Sequence, residues 1–351
     1  RLARGTPRTA LRTPRAVASM ASFIRPVRAG AMKGWAASSA LAGCILGVSV
    51  AGVVSDKLGR KLALLSAGIL FFISAVGTAV PQAFTTFVIF RLIGGIGVGI
   101  ASMVSPMYIA EVSPARHRGR MVSLNQFAII SGMLVVYFVN YFIARQGDPA
   151  WNVATGWRWM FGSEAIPAAL FTLLALFIPE SPRFLVETGR QDKARAILTR
   201  IEGPEHAERE VAAIETVLRQ ETGSMRQLFQ PGLRLVLLIG IALAVLQQVT
   251  GINVFLYYAP EIFKQMGQGV DVALLQTIVV GAVNLLFTVV AIGTVDRLGR
   301  KPLMIVGAAG MGVCLVAMGA AAQAGALALW VLVFVLGYIA CFALSVGPVT
   351  W

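Results

Sequence analysis

Apolar positions fall into nine runs: roughly 35–54, 62–80, 84–109, 121–144, 157–178, 233–259, 272–293, 303–322 and 327–351. Each is about 20 residues or longer, enough for a helix to cross a ~30 Å hydrocarbon core. Polar positions gather between the runs. Two of these polar turns carry the same pattern, Asp-x-Leu-Gly-Arg-Lys, at Asp56–Lys61 and at Asp296–Lys301. The spacing predicts an all-α membrane protein with an internal duplication, a common build for secondary transporters.

Composition agrees with this class. Hydrophobic residues are 57%, charged residues 13%, and the mean hydropathy is +0.76, whereas a soluble domain is about 25% charged. The net charge of +14 suggests nucleic acid, but the positions of the charges exclude it. Residues 1–34 hold eight basic residues (Arg1, Arg4, Arg8, Arg12, Arg15, Arg25, Arg28 and Lys33) and no acid. Most of the rest lie in 55–61, 111–120, 179–234 and 294–301, alternating with loops that hold only Arg145 and Lys264, as the positive-inside rule requires of alternate loops. The basic set is therefore placed in the cytoplasm. Cys44, Cys314 and Cys341 lie inside apolar runs and read as packing residues.

The organisation expected is a basic leader over 1–34, disordered or spurious; a first helix bundle over 35–178; a cytoplasmic linker over 179–231; and a second bundle over 232–351. If 55–61 is cytoplasmic, the run at 35–54 starts outside and a basic 1–34 would be external, against the same rule. A lost preceding helix explains this better than a targeting peptide, which would not restore the parity. Two amphipathic patterns near 190–202 and 205–221 predict short helices in the linker, a mere tether being the alternative.

Charges cluster at the cytoplasmic helix ends. Asp56 and Arg60 flank Gly59, which permits a tight turn. Glu111 with Arg116, Arg118 and Arg120, Glu180 with Arg183, and Asp296 with Arg297 and Arg300 complete four clusters on one side. They can form a latch of carboxylate–guanidinium pairs that breaks when that side opens, or act only as topology signals.

Polar residues also lie within the runs. Gln247, Gln248, Thr250, Gly251, Asn253, Tyr257 and Tyr258 make one run too polar to face lipid, and a break near Gly251 would turn its amides to one cavity. Asn125 and Gln126 add amides from another helix and Asn284 from a third. Amides both donate and accept, as sugar hydroxyls do, and Trp351 offers a flat apolar wall. An interhelical hydrogen bond is the plainer role of each amide alone. Arg91 and Glu164 are buried ionisable groups, each about 10 Å deep at 1.5 Å per residue. They pair with each other, or one partners a residue of the missing helix; an acid beside an arginine suits proton coupling. In Arg91-Leu-Ile-Gly-Gly-Ile-Gly-Val-Gly the glycine spacing fails a dinucleotide fingerprint. Gly95 with Gly99, and Gly43 with Gly47, instead make faces for close helix packing.

GVVSDKLGRK, RLIGGIGVG, AEVSPARHRG, NQFAII, GWRWMF, PESPRFL, QQVTGINVFLYYAPEIF, TVDRLGRKP and GPVTW together make the chain resemble the sugar porter family of the major facilitator superfamily, over nearly all of 35–351. Within it, SPMYIAE, NQFAII, NYFIAR and ALLQTI are similar to the bacterial D-xylose–proton symporters. The resemblance implies twelve helices in two six-helix bundles, about nine of them (the second to the tenth) in this chain. It implies sugar contacts at Gln126, Gln247, Gln248, Asn253, Asn284 and Trp351. It implies a cytoplasmic network of Asp56, Arg60, Glu111, Arg118, Glu180, Arg183, Asp296 and Arg300, and an Arg91 paired with a first-helix aspartate. Met133 stands where the xylose symporters have a glutamine, and Thr350 replaces the family's usual proline or the symporters' cysteine.

The expected function is proton-coupled symport of a monosaccharide, D-xylose or D-glucose, by alternating access. A facilitated-diffusion carrier and a non-transporting sugar receptor of the same fold are the rivals. No enzyme chemistry, metal, cofactor or nucleic acid is expected. The expected partners are a monosaccharide, a coupling proton and the lipid bilayer of a bacterial inner membrane, with the chain monomeric.

Overall fold

The computed structural model describes residues 15–81, 83–114, 116–220, 231–265, 270–324, 328–345 and 347. The helices of the first half are α1 (Arg15–Leu58), α2 (Arg60–Ala79), α3 (Phe84–Val112) and α4 (Arg118–Ala144). A fifth span follows in pieces, α5 (Pro149–Trp151), a π-helical turn (Asn152–Gly156), α6 (Trp157–Ser163) and α7 (Ala165–Phe177). Next come α8 (Pro182–Glu187), α9 (Gln191–Glu202) and α10 (Pro204–Gln220). The second half is α11 (Pro231–Val249), α12 (Ile252–Gln265), α13 (Val270–Leu298), α14 (Arg300–Gln323) and α15 (Ala328–Leu344).

Among the described residues, all nine apolar runs are mainly helical. Eight helices among the described residues are long and apolar enough to span a bilayer, and the ninth run gives the shorter Trp330–Leu344. Large apolar side chains such as Ile45, Val153, Phe177 and Val316 point outward. That arrangement suits a lipid solvent and would be costly in water.

The leader differs from expectation. Residues 15–34 continue α1 rather than lying outside it as a disordered segment. From Arg15 to Arg25 the chain holds Ala, Val, Ser, Met, Phe, Ile and Arg with no glycine or proline, and Ala, Arg and Met favour the helix.

The duplicated motif folds the same way twice. Gly59 separates α1 from α2 with φ +91°, and Gly299 separates α13 from α14 with φ +81°. Both values lie in the region that favours glycine.

Glycines also set the closest helix contact. A Cβ on Gly43 would lie 2.3 Å from the Leu92 carbonyl oxygen, and one on Gly47 2.2 Å from that of Ile96. From the other side, a Cβ on Gly95 would lie 2.1 Å from the Ala40 oxygen and one on Gly99 2.3 Å from the Cys44 oxygen. The two glycine faces interlock α1 and α3, and the packing role expected of them holds. Ala51, Ala63, Leu64, Ala67, Ile100 and Val104 form the core there.

In the second half, Ile252, Phe255, Val280, Met311, Val335, Tyr338 and Ile339 form the core. Cys341 and Cys314 pack reciprocally between α14 and α15. A Cβ on Gly310 would meet the Cys341 Sγ at 2.6 Å, and one on Gly337 the Cys314 Sγ at 3.0 Å. The halves meet where α4 packs along α13.

The linker is no mere tether. Leu185, Val186, Ala194, Leu198, Ala207 and Val211 bury one another across α8, α9 and α10. The 190–202 and 205–221 patterns are α9 and α10; α8, one short turn behind Pro182, carries too few residues for a periodic signal.

Candidate functional site

The break in the polar run falls where the sequence placed it. α11 ends at Val249, Gly251 has φ +80°, and α12 begins at Ile252. Asn253 Nδ2 donates to Gln248 Oε1 at 2.8 Å across the break. The Thr250 hydroxyl donates to the Gln247 carbonyl at 2.6 Å, and the Tyr338 phenol on α15 donates to the Thr250 carbonyl at 2.6 Å. Backbone groups opened by the break thus find side-chain partners, as non-helical backbone at membrane depth must.

The other amides sit on neighbouring elements. Gln126 is half-buried on α4 and Asn284 is buried on α13. α4 and α12 both pack against α13, and the Tyr137 phenol on α4 donates to the Leu256 carbonyl on α12 at 3.1 Å. The three elements carrying Gln126, Asn253 and Asn284 are therefore mutual neighbours. Asn125 is different: its Oδ1 accepts from the Ser105 hydroxyl at 3.1 Å, an interhelical bond between α3 and α4. Trp351 lies outside the described residues.

Sequence reasoning passed over several polar groups at this seam. Ser131 and Asn140 on α4, and Gln276 and Thr288 on α13, each hold a buried side-chain oxygen with no hydrogen-bond partner among the described residues. A polar residue inside an apolar run was the available signal, and Gln276 stands in the ALLQTI segment itself. Tyr137 was missed because a tyrosine in an apolar run reads as core.

At the helix ends that carry the basic turns the charges converge. The buried Arg60 guanidinium is bidentate to Glu111, with Nε to Oε2 at 3.0 Å and Nη2 to Oε1 at 2.9 Å. Such forked pairs are the strong ones. The Ser181 hydroxyl donates to Glu111 at 2.5 Å. Glu180 Oε1 accepts from the backbone N–H groups of Arg60 (3.0 Å), Lys61 (3.2 Å) and Ser181 (2.8 Å). It thereby caps the positive N-terminal end of α2.

Asp56 is more peripheral, 3.6 Å from Arg60 Nη1 and 66% exposed. Arg118 is exposed and makes no ion pair with another described residue. Arg183 is half-buried and engaged with a neighbour. The described network ties the α1–α2 turn to the ends of α3 and α7, all within the first half. The side chains of Asp296 and Arg300 lie outside those described.

Arg91 and Glu164 form no ion pair with each other, although they are within electrostatic reach. The Arg91 guanidinium lies over the Phe161 ring, 5.5 Å from its centroid, and its Nε is buried with no partner among the described residues. Glu164 stands exposed at the junction of α6 and α7.

The Sugar (and other) transporter family model matches residues 16–351, so the match extends into the stretch read as a leader. The chain is 49% identical to the D-xylose-proton symporter of Escherichia coli (strain K12), over 92% of this chain and 69% of that protein. It is 42% identical to the arabinose-proton symporter of Bacillus subtilis, over 91% of this chain and 69% of that one. Among solved structures it is similar to the proton:xylose symporter XylE bound to 6-bromo-6-deoxy-D-glucose. That match has a TM-score of 0.84 at 48% identity and covers 93% of this chain and 72% of the other. With its spans, its duplicated turn and these likenesses, the chain belongs to the sugar transporter family of the major facilitator superfamily and is a multi-pass membrane protein.

Proposed function

We propose that the protein is a proton-coupled monosaccharide symporter of a bacterial inner membrane, taking D-xylose or D-glucose by alternating access. The observation that carries this reading is the broken α11–α12 segment, where Gln248 and Asn253 pair beside Gln247 on an element tethered to α4. Amides at such a break exchange their mutual hydrogen bond for sugar hydroxyls at little cost, since both states are fully bonded. Gln126 and Asn284 supply donors and acceptors from the adjoining helices, and Trp351 the apolar wall. The named relatives include proton symporters of two pentoses, which supports both the substrate class and the coupling.

Arg91 and Glu164 are the proton-coupling pair in this reading. An ionisable acid within a span is costly when charged and unpaired, so its protonation state biases which arrangement of the bundle is favoured. The Asp56, Arg60, Glu111, Arg118, Glu180, Arg183, Asp296 and Arg300 set is the cytoplasmic gate. Its core of Arg60, Glu111 and Glu180 fixes the first half's rim, and the repeated motif is assigned the matching role in the second half.

The test is uptake of labelled D-xylose and D-glucose into vesicles holding the full-length protein, with and without an inward proton gradient. Gradient-driven accumulation is expected. Gln247→Ala should weaken apparent sugar affinity about tenfold, the loss of one or two hydrogen bonds. Uptake that stops at equal concentrations and ignores the gradient would make the protein a facilitator.

A further inference from the structure

Pro260 lies inside α12. Proline has no N–H, so the carbonyl four residues earlier, that of Leu256, loses its helical donor. An unpaired carbonyl at membrane depth is expensive. The group that answers it comes from the other half: the Tyr137 phenol donates to the Leu256 carbonyl at 3.1 Å. The tyrosine is held for this. Gly281 on α13 leaves room for its ring, since a Cβ there would lie 2.8 Å from Tyr137 Cδ2 and 3.1 Å from Leu134 Cδ1.

At the break just before the same element, Tyr338 holds the Thr250 carbonyl. The N-terminal part of α12 is therefore held by two phenols, one from its own half and one from the other. Asn253 stands three residues before Leu256, so the two are neighbours on the helix surface. Where α12 sits against α4 decides where the Asn253 amide stands relative to Gln126.

We propose that Tyr137 is a positioning residue of the sugar site. Its hydroxyl completes the turn that Pro260 opens, and so sets α12, with Asn253, in register against the first half. This rests on the sugar-binding reading above. Removing the phenol oxygen leaves α12 without its tether to α4, and apparent affinity falls by the fraction of molecules in the competent arrangement.

The experiment is a double-mutant cycle on the full-length protein, Tyr137→Phe against Pro260→Ala. Sugar binding is read by calorimetry and unfolding by melting in detergent. Alanine at 260 restores an N–H that reaches the Leu256 carbonyl within the helix. In the native background Tyr137→Phe should weaken binding about fivefold and lower the melting temperature, as loss of one hydrogen bond to a buried carbonyl would. In the Pro260→Ala background the same change should weaken binding less than twofold.

Equal effects in both backgrounds, or none in the native one, would overturn the proposal. If Tyr137→Phe alone does not fold, recovery of folding in the double variant supports it, and no recovery overturns it. If the native protein binds no sugar, the functional reading fails while the melting cycle still decides the role of Tyr137.

Discussion

A single added methyl group separates the two copies of the duplicated turn. At Gly59 it would meet strain from φ +91° and would also lie 2.3 Å from Glu180 Oε2, the carboxylate that caps α2. At Gly299 the φ of +81° imposes similar strain, but among the described residues the nearest atom is Pro302 Cδ at 3.8 Å. Alanine at a position that needs this backbone costs about 1–3 kcal/mol. Gly299→Ala should fall at the low end, whereas Gly59→Ala should exceed it because the carboxylate must leave its three N–H donors. Parallel melting curves of the two variants in detergent check this; equal losses would remove the special role of Glu180. The motif was legible in sequence at both places. That only one glycine faces a carboxylate was not, since Glu180 lies 120 residues from Arg60.

Among the elements, the interlock of α1 and α3 is the tightest. Their glycine faces let each backbone touch carbonyl oxygens of the other, which is the packing that replaces hydrophobic drive in lipid. Gly95→Ala should push the helices apart, because its Cβ would lie 2.1 Å from a backbone oxygen that cannot swing away. Gly132→Ala on α4 meets nothing within 4 Å. There the gain in helix propensity, up to about 1 kcal/mol, should leave the protein unchanged or slightly more stable. Yield of folded protein and melting temperature separate the two.

The linker shows the reverse case. Its periodicity announced α9 and α10, but its burial of Leu185 and Val186 from α8 came from tertiary contact. The helical start of α1 at Arg15 was likewise not read, because charge counting weighs topology rather than local propensity.

For the whole molecule, the proposed function requires two halves that move against each other. The seam between them is α4 on α13, and both helices carry buried polar atoms with no partner among the described residues. In the proposed mechanism the proton acts at Glu164, within electrostatic reach of Arg91. Glu164→Gln should abolish gradient-driven accumulation while leaving sugar exchange between equal concentrations within about threefold of native, since binding groups are untouched. Loss of both activities would assign Glu164 to structure instead.

By itself the sequence determined the spans, the duplicated turn, the break at Gly251 and the residue types available for sugar and proton. These are local or periodic properties, written in hydropathy, glycine and charge within a few turns of chain. The tertiary structure alone decided the partners: Glu111 for Arg60, Glu180 for the α2 terminus, Phe161 rather than Glu164 for Arg91, and Tyr137 for the carbonyl that Pro260 orphans. Those choices join residues far apart in the chain. They follow from how helices of fixed length and small-residue faces can be brought together, which no local pattern encodes.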